Sequence, residues 1–146
     1  AFQNAIKYNF DMIELDIHLC KSNDIIVHHD DYIIYDNKFR FIKDLTYQQI
    51  NQINPYIITL PFFFKNIDKN DIKINLDIKG DNQIINPLLE YLDENLDNYN
   101  NLILSSFNRK SLKEINNYNS NNNKQIETGF ITDNIYTNIE LKLLLF

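Results

Sequence analysis

The order in which strand-like and helix-like segments follow one another constrains this chain most. Runs of alternating apolar and polar residues, typical of strands, are separated by runs with apolar residues at helical spacing. Strands that alternate with helices pair in parallel through right-handed crossovers. Two common folds then remain, a doubly wound sheet and a β/α barrel. The predicted strands are 12–18, 25–29, 72–79, 101–106 and 127–132. The predicted helices are 1–8, 47–53, 61–67, 82–96 and 109–118, with a further helical start at 138–146. Residues 32–43 form a polar and aromatic loop that could hold short strands.

Three helix starts carry recognisable capping residues. Thr46 precedes the helix at 47–53, and Asn108 precedes the helix at 109–118. Both are residue types whose side chains accept hydrogen bonds from first-turn amides. Thr59 or Leu60 stands at the cap of the helix at 61–67, where Pro61 suits the first turn. These signals support the helix assignments on which the alternation rests.

The carboxyl ends of the predicted strands are polar, which favours the barrel. No glycine-rich loop follows the first strand, so a dinucleotide site is disfavoured. A barrel keeps its chemistry at the carboxyl ends of its strands and needs roughly 200 residues or more. We therefore expect an α/β, TIM-type (β/α) barrel that is incomplete, with about four to five of the eight strands present. The polar residues at the strand ends are Glu14 and Asp16, then Asp77 and Lys79, then Ser105 and Ser106.

The first predicted strand, 12–18, places two carboxylates on one face. Side chains alternate between the faces of a strand, so Glu14, Asp16 and His18 lie on the same side. Neighbouring carboxylates in a partly dry site repel each other unless a cation or a donor neutralises them. A divalent metal with oxygen ligands would do so, and the site would then be hydrolytic. The alternative is an edge strand with a solvated polar face.

Composition excludes several classes of protein. The net charge of −6 argues against a general nucleic-acid binder. No apolar run is long enough to span a membrane. Cys20 is the single cysteine and cannot form an internal disulfide, which favours a reducing, cytoplasmic location without establishing one.

Several stretches match a known pattern in the right order. Residues 13–17, 20–23 and 25–30 follow, without a gap, the pattern Ile-Glu-x-Asp-Val, Thr/Ser-x-Asp-Gly, then an apolar run and His-Asp. Residues 75–79 match Asn-Ile-Glu-Ile-Lys, and 106–107 match Ser-Phe. The chain thus resembles the glycerophosphodiester phosphodiesterase family, whose fold is a TIM-type barrel, and the resemblance covers nearly all of it.

The resemblance implies a metal-dependent phosphoric diester hydrolase of glycerophospholipid metabolism. Glu14, Asp16 and Asp77 would bind a divalent cation, Mg or Ca, and Lys79 would hold a phosphate oxygen. His29 would be one of two catalytic histidines, protonating the leaving alcohol or sharing acid–base duty. The substrate would be a small glycerophosphodiester or a lysophospholipid, and glycerol 3-phosphate would be a product.

The chain departs from the family pattern at three places. Asp77 stands where the family usually has Glu, and Ser22-Asn23 replaces Asp-Gly, so Asn23 should adopt the left-handed conformation. The family's first catalytic histidine, in a His-Arg-Gly strand, would lie upstream of Ala1. We therefore expect one phosphodiesterase domain over 1–146, truncated at both ends. The alternative is a non-catalytic truncated barrel that at most binds metal and phosphodiester.

Other polar and aromatic residues have simpler interpretations. His18 shares the carboxylate face but lies where the strand leaves the barrel. Two interpretations of His18 are therefore open, contact with metal or substrate and a structural role. His28 would point to the opposite face. Ser106 is expected to pack or hydrogen-bond at the barrel mouth, and nothing indicates a reactive thiol at Cys20. Residues 62–64, all Phe, could line a lipid-facing rim, although packing in a helix core is the commoner use.

Overall fold

The computed structural model describes residue 8 and residues 10–67, 72–96 and 100–132. The helices predicted at 1–8 and 138–146 therefore fall outside the described residues, except for residue 8. The strands are β1 (Met12–Leu19), β2 (Ile25–Val27), β3 (Tyr32–Tyr35), β4 (Lys38–Phe41), β5 (Ile58–Thr59), β6 (Lys73–Ile78), β7 (Leu102–Ser106) and β8 (Glu127–Phe130). The helices are α1 (Tyr47–Ile53), α2 (Leu60–Asn66), α3 (Ile85–Asn95) and α4 (Arg109–Asn122), with short 3-10 helices at Ile42–Asp44 and Asn82–Ile84.

The main sheet has the strand order β5-β2-β1-β6-β7-β8. Its β1, β6, β7 and β8 pair in parallel, as the alternation of strands and helices predicts. The strands β2 and β5 extend the sheet beyond β1 in antiparallel pairing. The chain therefore forms a mixed α/β fold whose parallel part has the layout of a partial β/α barrel.

The pairing register puts polar residues on one face of the parallel strands. Glu14 lies opposite Asn75, Asp16 lies opposite Asp77, and Asp77 lies opposite Ser105. Directly paired residues project to the same side of a sheet. The register therefore gathers the polar side chains of three neighbouring strands.

The opposite face of the same strands is apolar and packs against helices. Leu15, Leu76 and Leu104 are almost completely buried there. Each such side chain contributes about 1.5–3 kcal/mol relative to an exposed one. The helices supply the other side of this core, and their buried residues include Leu60, Phe63 and Phe64 of α2, Ile85, Leu88, Leu89 and Leu92 of α3, and Leu112 and Ile115 of α4. The burial of Phe63 and Phe64 favours the core-packing interpretation of the triple phenylalanine over a lipid-facing rim.

The predicted helix caps are present. The Thr46 side chain accepts a hydrogen bond from the Gln49 amide, and the Gln49 side chain accepts one from the Thr46 amide, which completes a capping box. Thr59, rather than Leu60, caps α2. Asn108 caps α4, which continues to Asn122, four residues beyond the predicted end at 118.

Two turns rely on positive φ angles at non-glycine residues. Asn23 has φ of 63°, so the left-handed conformation expected for the Ser22-Asn23 turn is confirmed. Asp36 and Asn37 have φ of 51° and 56° and join β3 to β4. Positive φ at both central residues is typical of a two-residue hairpin turn. The region 32–43 is thus a hairpin followed by a 3-10 helix rather than an irregular loop.

Candidate metal and phosphodiester site

Three carboxylates meet near the carboxyl ends of β1 and β6. Ligand atoms of Glu14, Asp16 and Asp77 all lie within 4.8 Å of one another. Glu14 is exposed, Asp16 is half-buried, and Asp77 is buried. The i, i+2 spacing on β1 and the in-register pairing of Asp16 with Asp77 produce this arrangement. The structure thus brings together all three residues predicted as metal ligands.

Lys79 lies directly beside this cluster. Its Nζ is 2.9 Å from Asp16 Oδ1 and 2.5 Å from Asp77 Oδ2. The Lys79 amide donates to the Ile17 carbonyl at 3.0 Å, so the β1–β6 pairing continues one residue past β6 and fixes where the side chain begins. The ammonium also lies 5.6 Å from the centre of the Phe107 ring. Lys79 therefore sits where it can contact both the carboxylates and an anion bound near them.

The pKa values of Glu14 and Lys79 are both raised in this cluster. Burial raises the pKa of Glu14, and repulsion from Asp16 and Asp77 raises it further, against a smaller opposing effect of Lys79. Burial disfavours the charged form of Lys79, but hydrogen bonds to Asp77 and Asp16 outweigh it and raise the pKa of the ammonium. The site therefore holds negative charge that a single lysine does not fully offset.

Asp77 carries an unsatisfied oxygen. Its Oδ2 is paired with Lys79, whereas its Oδ1 is buried and has no hydrogen-bond partner among the described residues. Leaving a buried acceptor unpaired costs about 1–3 kcal/mol, and more for a charged group. Hard cations such as Mg²⁺ and Ca²⁺ prefer carboxylate oxygens. The donor set and the orphaned Oδ1 both fit a divalent cation.

His29 lies on the segment that follows β2, because β2 ends at Val27 instead of reaching residue 29. Its side chain is 82% exposed, and its Nδ1 is 2.9 Å from Asp30 Oδ1. The hydrogen bond to Asp30 raises the pKa of His29, and the negative charge of Asp16 acts in the same direction. Among the described residues its ion-pair partner is Asp30 and not a carboxylate of the cluster. The structure thus leaves the imidazole exposed, within electrostatic reach of the carboxylates but not in contact with them.

Comparison with known proteins decides the family. A profile of the Glycerophosphoryl diester phosphodiesterase family matches residues 1–138. The chain belongs to this family. A glycerophosphodiester phosphodiesterase of Caldanaerobacter subterraneus is 30% identical over a 130-residue alignment, which covers 79% of this chain and 54% of that protein. The chain therefore spans about half the length of this curated relative.

Solved structures of the family share the fold. The glycerophosphodiester phosphodiesterase of Thermotoga maritima superposes with a TM-score of 0.74 at 29% identity, covering 96% of this chain and 57% of that one. A phosphodiesterase of Oleispira antarctica, solved with the product sn-glycerol-3-phosphate, superposes with a TM-score of 0.80 at 20% identity, covering 97% and 62%. The expected TIM-type barrel class is confirmed, with this chain forming part of such a barrel.

The other two histidines occupy different positions in this family member. His18 is buried, at 6% exposure, and its Nε2 lies 3.3 Å from the His29 carbonyl oxygen. Burial lowers the pKa of His18, against smaller opposing effects of that hydrogen bond and of Asp31. His18 is not part of the group that could hold a metal. The backbone amide of His28 donates to the Asp16 carbonyl at 3.0 Å.

The serines at the end of β7 make hydrogen bonds that the sequence does not reveal. Ser105 Oγ donates to Asn75 Oδ1 at 2.8 Å, on the polar face. Ser106 Oγ donates to the Ile78 carbonyl at 2.8 Å and accepts from the Asn108 amide at 3.0 Å. The expected hydrogen-bonding role of Ser106 is thus confirmed. The hydrogen bond between Ser105 and Asn75 could be assigned only from the pairing of β6 with β7.

A cavity of about 760 Å³ opens beside Lys79. It lies between the end of β1, the 3-10 helix at Ile42–Asp44 and the segment after β6, and its lining includes His18, Lys21, Lys43 and Gln83. Cys20 also lines it but is a buried side chain. The cavity thus provides space for a small molecule beside Lys79.

In the described part of the chain, no helix is long and apolar enough to cross a bilayer.

Proposed function

We propose that this chain supplies the cation-binding and phosphate-binding half of a glycerophosphodiester phosphodiesterase. The observation that carries the proposal is the convergence of Glu14, Asp16, Asp77 and Lys79 on the same side of two paired parallel strands. Family membership supports the reaction class. The reaction is hydrolysis of a glycerophosphodiester to an alcohol and glycerol 3-phosphate.

Glu14, Asp16 and Asp77 would hold one divalent cation, Mg²⁺ or Ca²⁺. The orphaned Oδ1 of Asp77 supports this assignment, because it is a buried anionic oxygen that lacks a donor. When bound, such an ion supplies positive charge against the phosphoryl oxygens and orients the diester.

Lys79 would bind a non-bridging phosphate oxygen as a point charge. Its ammonium already neutralises part of the carboxylate charge, which reduces the repulsion that a phosphodiester anion meets on entry. The adjacent cavity gives the substrate room next to this ammonium.

His29 would act as an acid at the leaving alcohol. In hydrolysis a water oxygen forms a bond to phosphorus, the bond from phosphorus to the alcohol oxygen breaks, and that oxygen takes up a proton. The hydrogen bond to Asp30 favours the protonated imidazole, which is the form that donates. The ring must approach the substrate from its present exposed position to do so.

Release of glycerol 3-phosphate from glycerophosphocholine tests the proposal. The full-length protein is assayed with Mg²⁺ or Ca²⁺ and with a chelator, and lysophosphatidylcholine serves as the competing substrate class. We expect the chelator to abolish hydrolysis, and Asp16→Asn and His29→Ala each to lower kcat about a hundredfold or more. Asp36→Asn is the matched control, because Asp36 lies in the exposed turn between β3 and β4.

Two results would contradict the proposal. The first is hydrolysis that is indifferent to both the chelator and His29→Ala. The second is a full-length protein that binds the cation and the diester but never cleaves it, which would identify the non-catalytic alternative. Cleavage of lysophosphatidylcholine in preference to glycerophosphocholine would leave the mechanism intact and assign the larger substrate.

A further inference from the structure

The segment that carries His29 has little side-chain packing of its own to hold it. His29 itself is largely exposed, and both Asp30 and Asp31 are exposed as well. An acid must lie within hydrogen-bond reach of the atom that it protonates, and misplacement of about 1 Å can cost a hundredfold in rate. The backbone contacts of residues 28–31 therefore decide where the imidazole can go.

Three hydrogen bonds anchor this segment. The His28 amide donates to the Asp16 carbonyl at 3.0 Å, and the Ile42 amide donates to the Asp31 carbonyl at 2.9 Å. Between them, His18 Nε2 lies 3.3 Å from the His29 carbonyl oxygen. The first two anchors are backbone groups that any sequence would offer. The central anchor comes from a side chain and can be removed by substitution.

We propose that His18 is a positioning residue, whose Nε2–H donates to the His29 carbonyl and holds the His29 segment against β1, the strand that bears Glu14 and Asp16. His18 is nearly fully buried on the strand that also bears Glu14 and Asp16, so it couples the segment to the same rigid element as the ligands. The inference rests on the proposed function, because it needs a catalytic His29. It does not depend on the charge of His18, since both the imidazolium and the neutral Nε2–H tautomer donate.

Three variants separate this role from simple packing. His18→Leu keeps an apolar side chain in the buried position but removes the donor. His18→Gln keeps an N–H donor at similar reach. His28→Leu is the matched control, because it removes an imidazole from the same segment and the His28 side chain makes no hydrogen bond to a described residue.

Steady-state kinetics of glycerophosphocholine hydrolysis provide the first readout. We expect His18→Leu to lower kcat about ten- to hundredfold with KM changed less than about twofold. His18→Gln should stay within about threefold of the wild-type kcat, and His28→Leu should match the wild type. A His18→Leu enzyme with the wild-type kcat, or a His18→Gln enzyme as impaired as His18→Leu, would overturn the inference.

Amide hydrogen exchange provides a second readout that needs no activity. In His18→Leu we expect faster exchange at the His28 and Ile42 amides, whose hydrogen bonds to the Asp16 and Asp31 carbonyls hold the ends of the segment, with unchanged protection of β1 and β6. Unchanged exchange at the His28 and Ile42 amides, or a loss of protection throughout β1, would overturn the inference, because His18 would then not anchor the segment or would only support the core. If the wild-type protein does not hydrolyse the diester, the proposed function fails, and the exchange measurement still decides whether His18 anchors the segment.

Discussion

Asp77 is the residue on which the candidate site depends most. It is buried, it pairs through one oxygen with Lys79, and its other oxygen has no partner among the described residues. The family usually has the longer Glu at this position, yet Asp77 still reaches the ligand atoms of Glu14 and Asp16. Pairing in register with Asp16 explains this, because the shorter side chain starts directly beside its partner strand.

The pairing of His29 with Asp30 predicts a pH effect at a single residue. The hydrogen bond and the negative charge of Asp30 favour the imidazolium, so the pKa of His29 lies above its ordinary value of 6.5. Asp30→Asn removes the negative charge and leaves only a neutral acceptor, so it should lower the pKa of His29 toward that value. The imidazole would then lose its proton at a lower pH, and the alkaline limb of the pH–rate profile, where the general acid is deprotonated, would shift to lower pH.

Titration of the His29 ring proton signals by NMR measures this directly. Asp31→Asn is the control, because Asp31 is exposed and is not among the charges that act on His29. An unchanged pKa of His29 in Asp30→Asn would show that the Asp30 contact does not hold in solution.

At the scale of elements, the capping box at the start of α1 gives a stability prediction. Thr46→Ala removes the side-chain acceptor of the Gln49 amide and should lower the free energy of unfolding by about 0.5–2 kcal/mol. Gln52→Ala, at an exposed position of the same helix, should change it by less than about 0.5 kcal/mol. Urea denaturation of both variants makes the comparison, and equal midpoints would contradict the assigned cap.

The strands also show which secondary structure could be predicted from the sequence and which could not. Period-two alternation predicted β1 and β6 and placed Glu14 with Asp16, because that pattern depends only on neighbouring residues. The hairpin of β3 and β4 could not be assigned, since its strands are short and most of their residues are exposed. The sequence also did not predict that β2 ends at Val27.

Contacts between distant segments were beyond prediction for a further reason. The hydrogen bond from His18 to the His29 carbonyl and the ion pair of Lys79 with Asp16 join residues of different segments that only the pairing of the strands brings together. Sequence alternation gives the face of a residue but not its partner on the next strand. The metal ligands were found through the family resemblance together with their face, whereas Asn75 and the role of His18 required the fold.

The whole molecule divides its sheet into two chemically different faces. One face of the parallel strands is apolar and packs against α2, α3 and α4, and the other carries the carboxylates, Asn75 and Ser105. In a β/α barrel the second face is the interior, whose carboxyl end holds the chemistry. The helix-covered face therefore contributes most of the stability, and we propose that the cation binds on the polar face.

Calorimetric titration of Ca²⁺ or Mg²⁺ into the full-length protein tests this central assignment most directly. We expect one cation per chain, with affinity lowered about tenfold or more in Asp77→Asn and unchanged in Asp36→Asn. Circular dichroism of Asp77→Asn is the control that tests whether this variant keeps the fold. Cation binding that is equally strong in the wild type and in a folded Asp77→Asn would contradict the assignment.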